Sequence, residues 1–260
     1  MKWLRAIRRE PLKALTVISI LVGIAVGGFA LADHLKDDPT PRPHVAFVLD
    51  TSKAMREPFG DTTKFAAAKE AIRRAVERSP SVSFSLRLAG GQCHEGYRDP
   101  DVDFATKAAA AFELQLAAVD LGGRSAFADE VAYASDDLAT PEEETSTEQV
   151  LVFIGAPQDH CVPGDPAQDV VNSLGLSGVD AAFTFFALLT EEEGEEFEQF
   201  AKTLKEADVP TSVRTPEDED ELQQGVNQEV SSSGGGEGTT TTGGGGDGGD
   251  GGESGTSPLP

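Results

Sequence analysis

The chain has 260 residues with 45 acidic and 21 basic side chains, which gives a formal net charge of −24 at pH 7. So acidic a protein repels nucleic-acid phosphates and anionic lipid headgroups, and we therefore exclude direct nucleic-acid binding. Only two cysteines are present, and they do not form a C-x-x-C redox motif.

The N-terminal region predicts export across a membrane. Residues 1–13 carry five basic side chains and one acidic one, and residues 14–32 carry no charge. Positive charge before an apolar stretch stays in the cytoplasm, so the remainder, with a formal charge of −28, is expected outside it. The 19 uncharged residues approach the length of a membrane span, whereas Ala30-Leu31-Ala32 has the form of a cleavage site. Both outcomes stay open: a retained signal anchor, or a secreted protein cleaved after Ala32.

Three further regions follow this segment. Residues 33–43 are polar and rich in proline, which is typical of a linker. Residues 44–230 contain the apolar segments of one folded domain. Residues 231–260 consist mainly of glycine, threonine, serine and scattered acids, so they bury too little apolar surface to fold and are predicted to be disordered.

Strand-like and helix-like segments alternate through residues 44–230. The predicted strands lie at 45–50, 81–90, 102–104, 148–156, 181–189 and 211–214. The predicted helices lie near 65–79, 105–120, 126–139, 167–174, 197–204 and 222–230. Strict alternation of apolar and polar residues in 81–90 predicts a half-buried strand. The whole pattern predicts an α/β fold with a doubly wound, mostly parallel, Rossmann-like sheet and helices on both faces.

The run HVAFVLDTSKAM at residues 44–55 places Asp50 at the C-terminal end of a buried strand. Ligands bind at that edge of doubly wound sheets. The run resembles the first metal-site loop of von Willebrand factor A (VWA) domains, which reads Asp-x-Ser-x-Ser. Asp50 and Ser52 match the first two ligand positions, and Ala54 occupies the third.

Two later loops extend the resemblance over roughly residues 44–230. Gly122-Gly123-Arg124-Ser125 is similar to the family's Gly-Gly-Arg-Thr, and Ser125 keeps the hydroxyl. Residues 150–161, VLVFIGAPQDHC, resemble the strand and the Ser-Asp-Gly-Glu-Asp-Thr-Cys loop that follows it, with Ala156 at the aspartate position. The resemblance implies a metal-ion-dependent adhesion site, in which a divalent cation keeps one position open for a carboxylate of a partner protein.

The ligand set predicts a degenerate metal site. Asp50, Ser52 and Ser125 retain ligand atoms, whereas Ala54 and Ala156 do not. Magnesium demands near-octahedral oxygen coordination, so we expect weak magnesium binding or none, and no other cofactor. The alternative is that Asp50 and Ser52 only shape the junction between strand and helix.

Cys93 and Cys161 are predicted to form a disulfide, because an exported chain with one cysteine pair favours it. The resemblance agrees, since related bacterial proteins carry cysteines after the second strand and after the third metal loop. Two free buried thiols remain the alternative. His94 and His160 adjoin the cysteines, but the spacing is not typical of a zinc site.

No nucleophile elbow, phosphate loop or dinucleotide fingerprint occurs in the sequence, so we predict no enzymatic activity. The resemblance implies an extracytoplasmic VWA binding or adhesion module, tethered through its N-terminal segment, whose partner is an unknown protein or cell-envelope component. The alternative function is a structural accessory subunit of a membrane-associated assembly, with a vestigial metal site.

Overall fold

The structure is a computed structural model that describes part of the chain. This part comprises residues 42–91, 93, 98–139, 148–156, 161, 166–177, 181–189, 194–207 and 210–234. The predicted membrane segment at residues 14–32 and the tail beyond residue 234 lie outside it. Within the described ranges, no helix is long and apolar enough to cross a membrane.

A six-stranded sheet forms the centre of the domain. The described part of the chain contains eight strands, of which six form this sheet. They are β1 (His44–Asp50), β2 (Pro58–Phe59), β3 (Thr62–Thr63), β4 (Ser83–Ala89), β5 (Val102–Ala105), β6 (Gln149–Gly155), β7 (Ala181–Ala187) and β8 (Thr211–Arg214). The central sheet has the order β5-β4-β1-β6-β7-β8, and β2 pairs with β3 in a separate hairpin. All neighbours in the central sheet are parallel except the edge strand β5, which runs antiparallel to β4. This confirms the predicted mostly parallel sheet.

Helices cover both faces of the sheet, as predicted. They are a 3₁₀ helix (Lys53–Arg56), α1 (Lys64–Arg78), α2 (Ala109–Ala118), α3 (Phe127–Ala139), α4 (Pro166–Ser177), α5 (Gly194–Glu206) and α6 (Glu219–Gly234). Helices α1, α2 and α6 share one apolar core, and α3, α4 and α5 share the other. In β1, Phe47 belongs to the first core and Val48 to the second, so the strand that carries Asp50 is buried on both faces.

Strand β4 differs from the prediction, because it is buried on both faces and not half-buried. Six of its seven residues are buried, including Ser85 and Arg87. Helix α3 neutralises the buried charge: Arg87 Nε lies 2.7 Å from Asp137 Oδ2, and Arg87 Nη1 lies 3.4 Å from Glu130 Oε2. Arg87 of β4 therefore faces an ion-pair network and not solvent.

Two element boundaries and one short hairpin also differ from the sequence prediction. Helix α2 begins at Ala109 and not near residue 105, because β5 extends to Ala105 and Lys107 takes a positive φ of 56° in the turn between them. Helix α6 continues to Gly234, four residues into the predicted tail. The hairpin at residues 58–63 was not predicted, because its two-residue strands are too short to show a hydrophobic period.

Candidate functional site

The buried carboxylate of Asp50 organises the loop after β1. Asp50 is 0% exposed, and its Oδ1 accepts a hydrogen bond of 2.8 Å from the backbone N–H of Ser52. Its Oδ2 accepts from the Ser52 hydroxyl at 3.1 Å and from the backbone N–H of Ala156 at 3.2 Å. Asp50 thus fixes its own turn and joins that turn to the end of β6.

Burial raises the pKa of Asp50 to about 6, although the hydrogen bonds from Ser52 and Ala156 lower it. The Ser125 hydroxyl lies near enough to the carboxylate to lower the pKa slightly as well. Among the described residues, Ser125 Oγ is a buried polar atom without a hydrogen-bond partner. The structure therefore places Asp50, Ser52 and Ser125 close together at the end of β1.

Glycines allow the loops around the site to approach their neighbours very closely. A Cβ atom at Gly155 would lie 2.2 Å from the Cβ of Asp50. Gly123 has a positive φ of 74°, and a Cβ there would lie 2.3 Å from the carbonyl oxygen of Gly91. The resemblance aligns Gly155 with a serine in VWA domains, and this loop has no space for that side chain.

The residues around Asp50 do not suit tight magnesium binding. Only Asp50, Ser52 and Ser125 offer side-chain oxygens at the aligned positions, and both oxygens of the carboxylate already accept hydrogen bonds. Ala156 is buried with its methyl group at the position of the family's aspartate. Protein-bound magnesium keeps several waters and is held through one or two carboxylates, and the aligned positions here offer one carboxylate, whose oxygens already accept three hydrogen bonds. Among the described residues, no group of three or more His, Cys, Asp or Glu side chains would hold a metal. The weak metal site stays a prediction.

An open cavity of about 650 Å³ lies beside this buried cluster. Its lining residues are Ser52, Lys53, Ala54, Arg56, Glu57, Pro58, Gly123 and Arg124. Three of these side chains are basic and one is acidic. The cavity was not predicted from the sequence. The basic Lys53 and Arg56 share a loop, but the sequence does not show that Arg124 lies with them.

The acidic side chain of the cavity is already paired. The Nζ atom of Lys64 lies 2.7 Å from Glu57 Oε2, and the Lys64 side chain is only 1% exposed. Arg56 is also engaged: its Nη2 donates to the carbonyl of Leu121 and lies 3.6 Å from Asp120 Oδ1. Lys64 thus neutralises Glu57, and the remaining charge of the cavity is positive.

A disulfide joins two of the loops near the site. Cys93 and Cys161 are bonded, with their Cα atoms 5.2 Å apart. The loops that carry them follow β4 and β6, the two neighbours of β1 in the sheet. The predicted pairing is present, and its sulfurs are not available to a zinc ion. His94 and His160 lie outside the described residues.

Comparison with known proteins identifies the class to which this architecture belongs. Residues 45–157 match the family of von Willebrand factor type A domains. This match includes β1, β4, β6 and the aligned positions Asp50, Ser52, Ser125 and Ala156. The fold and this match assign residues 45–157 to a von Willebrand factor type A domain. A search of curated protein sequences gave no match.

Several solved structures share the fold at low sequence identity. The PilB minor pilin from Streptococcus sanguinis superposes with a TM-score of 0.58 and 9% identity, covering 74% of this chain and 61% of PilB. BatB from Bacteroides thetaiotaomicron gives 0.53 and 13%, covering 73% of this chain and 98% of BatB. The pilus adhesin SpaC from Lactobacillus rhamnosus GG gives 0.54 and 11%, covering 76% of this chain and 31% of SpaC. The chain thus spans under two thirds of PilB and about a third of SpaC.

Proposed function

We propose that this protein is a non-catalytic interaction module that binds another protein at the C-terminal edge of its sheet, with little or no dependence on metal. The cavity beside Asp50 is the observation that carries the proposal. It is open, it lies between the loop after β1 and the loop at Gly123 and Arg124, and Gly122 N–H joins those two loops by donating to Thr51 O at 3.1 Å. A preformed surface of this kind loses little conformational entropy when a partner binds.

The structural neighbours support a role in protein interaction. One is named a minor pilin and another a pilus adhesin. We extend this role to the present chain because it shares their fold and has an open cavity at the edge of its sheet. We also propose that the domain lies outside the cytoplasm and that residues 14–32 tether it. A reporter fused after residue 234 that is active only in the cytoplasm would refute this orientation.

A blocking substitution in the cavity tests the proposed function. Full-length protein with Ala54→Trp places a bulky indole among the lining residues, and it should lose a partner captured from native envelope extracts. Leu114→Trp is the matched control, because Leu114 is 70% exposed on α2, away from the lining residues. Retained capture by Ala54→Trp would overturn the proposal.

The accessory-subunit alternative rests on a different surface. Helix α2 exposes Leu114 together with Ala110, Ala111 and Ala118, which is an apolar patch that a larger assembly would cover. In that case Leu114→Trp, and not Ala54→Trp, should abolish capture. The same pair of variants therefore separates the two functions.

The metal independence of the proposed function has a separate test. Ala54→Ser with Ala156→Asp restores both missing ligands of the aligned site. The new carboxylate would lie beside Asp50, so we expect the double variant to be less stable than the native chain in EDTA and to gain stability from magnesium. If magnesium stabilises the native chain as strongly as it stabilises the double variant, the native chain still has a functional metal site.

A further inference from the structure

The cavity beside Asp50 has a positive charge that contrasts with the rest of the protein. The chain carries a formal net charge of −24, yet three of the eight lining residues are basic. The single acidic lining residue, Glu57, is paired with the buried Lys64. Positive charge concentrated in a cavity attracts anions at short range, even on an acidic protein, because salt screens distant charges beyond about 8 Å at physiological ionic strength.

Two of the basic side chains are unengaged. Lys53 and Arg124 are exposed, and neither side chain forms an ion pair or hydrogen bond with any residue in the described part of the chain. Arg56 differs, because it is held by Leu121 and Asp120. Lys53 and Arg124 therefore have their donors available for an incoming anion.

The backbones that carry these two side chains are fixed. Arg124 N donates to the Gly91 carbonyl at 3.1 Å, where Gly123 is held against Gly91. Lys53 is the first residue of the 3₁₀ helix. Met55 of this helix is fully buried, and its N–H donates to Ser52 O at 3.2 Å. Both cationic groups are thus presented from rigid loops, which limits the ordering that binding requires.

We propose that Lys53 and Arg124 form a receptor for a carboxylate side chain on an acidic segment of the partner protein, without a bridging metal ion. This inference rests on the proposed function and names the partner's chemistry at the same cavity. A guanidinium binds a carboxylate through two parallel N–H donors, and an ammonium adds a point charge beside it. The cavity is large and open enough to admit such side chains together with part of their backbone.

Binding of a fluorescein-labelled peptide containing consecutive glutamates, measured by anisotropy with full-length protein in EDTA, tests the receptor. The glutamate peptide should bind, and an equal-length glutamine peptide should not. Lys53→Gln with Arg124→Gln should weaken binding roughly tenfold, as expected for the loss of two partly exposed ion pairs. Lys202→Gln with Lys205→Gln removes the same charge from α5 and should change affinity less than twofold.

Three results would overturn the receptor. They are no binding of the glutamate peptide, equal weakening by both pairs of substitutions, or binding that requires magnesium. The proposed function is assessed separately by the capture experiment. If Ala54→Trp blocks partner capture while Lys53→Gln with Arg124→Gln leaves it unchanged, the cavity binds a partner but the carboxylate receptor is wrong.

Discussion

Asp50 should make the stability of the protein depend on pH in the opposite direction to an ordinary salt-bridged aspartate. Burial raises its pKa from 3.8 to about 6. Because the folded state holds this proton more tightly than the unfolded chain, Asp50 stabilises the fold below the unfolded pKa, and that stabilisation is lost as pH rises through about 6. At about 1.4 kcal/mol for each pKa unit, the full change is about 3 kcal/mol.

Asp50→Asn isolates this effect, because asparagine does not titrate while every other group is common to both proteins. The variant also replaces one carboxylate oxygen that accepts from Ala156 N–H, and we expect this loss to lower its stability at every pH. The native protein, however, loses the stabilisation from protonated Asp50 as the pH rises. The unfolding free energy of the variant minus that of the native protein should therefore increase by about 1.4 kcal/mol from about pH 5 to about pH 8.

Urea unfolding of full-length protein in EDTA, followed by circular dichroism across this pH range, measures the difference. Asp61→Asn is the control, because Asp61 is exposed between β2 and β3, away from the site. Its difference from the native protein should stay nearly constant with pH. A constant difference for Asp50→Asn as well would refute the claim that burial of Asp50 sets the electrostatics of the site.

Three further predictions concern metal, ion pairs and the disulfide. Millimolar magnesium should raise the melting temperature of the native protein by less than about 1 °C. The stabilisation scales as RT ln(1 + [L]/Kd), which is small for a weak site. A rise of several degrees that EDTA reverses would contradict this prediction. Arg87→Met should lower the unfolding free energy by about 3–5 kcal/mol, because the buried Asp137 loses the guanidinium that contacts both of its oxygens. The partly exposed Arg73→Met should lower it by no more than about 1 kcal/mol. Serine at both Cys93 and Cys161 should lower it by about 4 kcal/mol, because the bond closes a loop of 68 residues; an unchanged urea midpoint would be inconsistent with the bond.

Local sequence patterns were sufficient to predict the sheet and the position of Asp50. Continuous apolar runs such as residues 45–49 are typical of strands that are buried on both faces, and β1 is one of them. The strand order then places the loops of Cys93 and Cys161 on either side of Asp50. These features depend on hydrophobic period and chain order, which the sequence displays directly.

The burial of β4 and the charge of the cavity could not be predicted in the same way. Arg87 in an alternating pattern indicates a solvent-exposed face, and only the docking of α3 shows that Asp137 neutralises it. The cavity depends on which loops converge, since Lys53 and Arg124 are 71 positions apart in sequence. Tertiary contacts of this range leave no periodic signal in the residues that form them.

The most direct test of the proposed function is the affinity of the full-length protein for its captured partner, measured by surface plasmon resonance in EDTA and again in millimolar magnesium. We predict the same dissociation constant in both buffers, because Ala54 and Ala156 remove two metal ligands while the cavity and its basic side chains remain. Loss of binding in EDTA, restored by magnesium, would contradict a metal-independent interaction module.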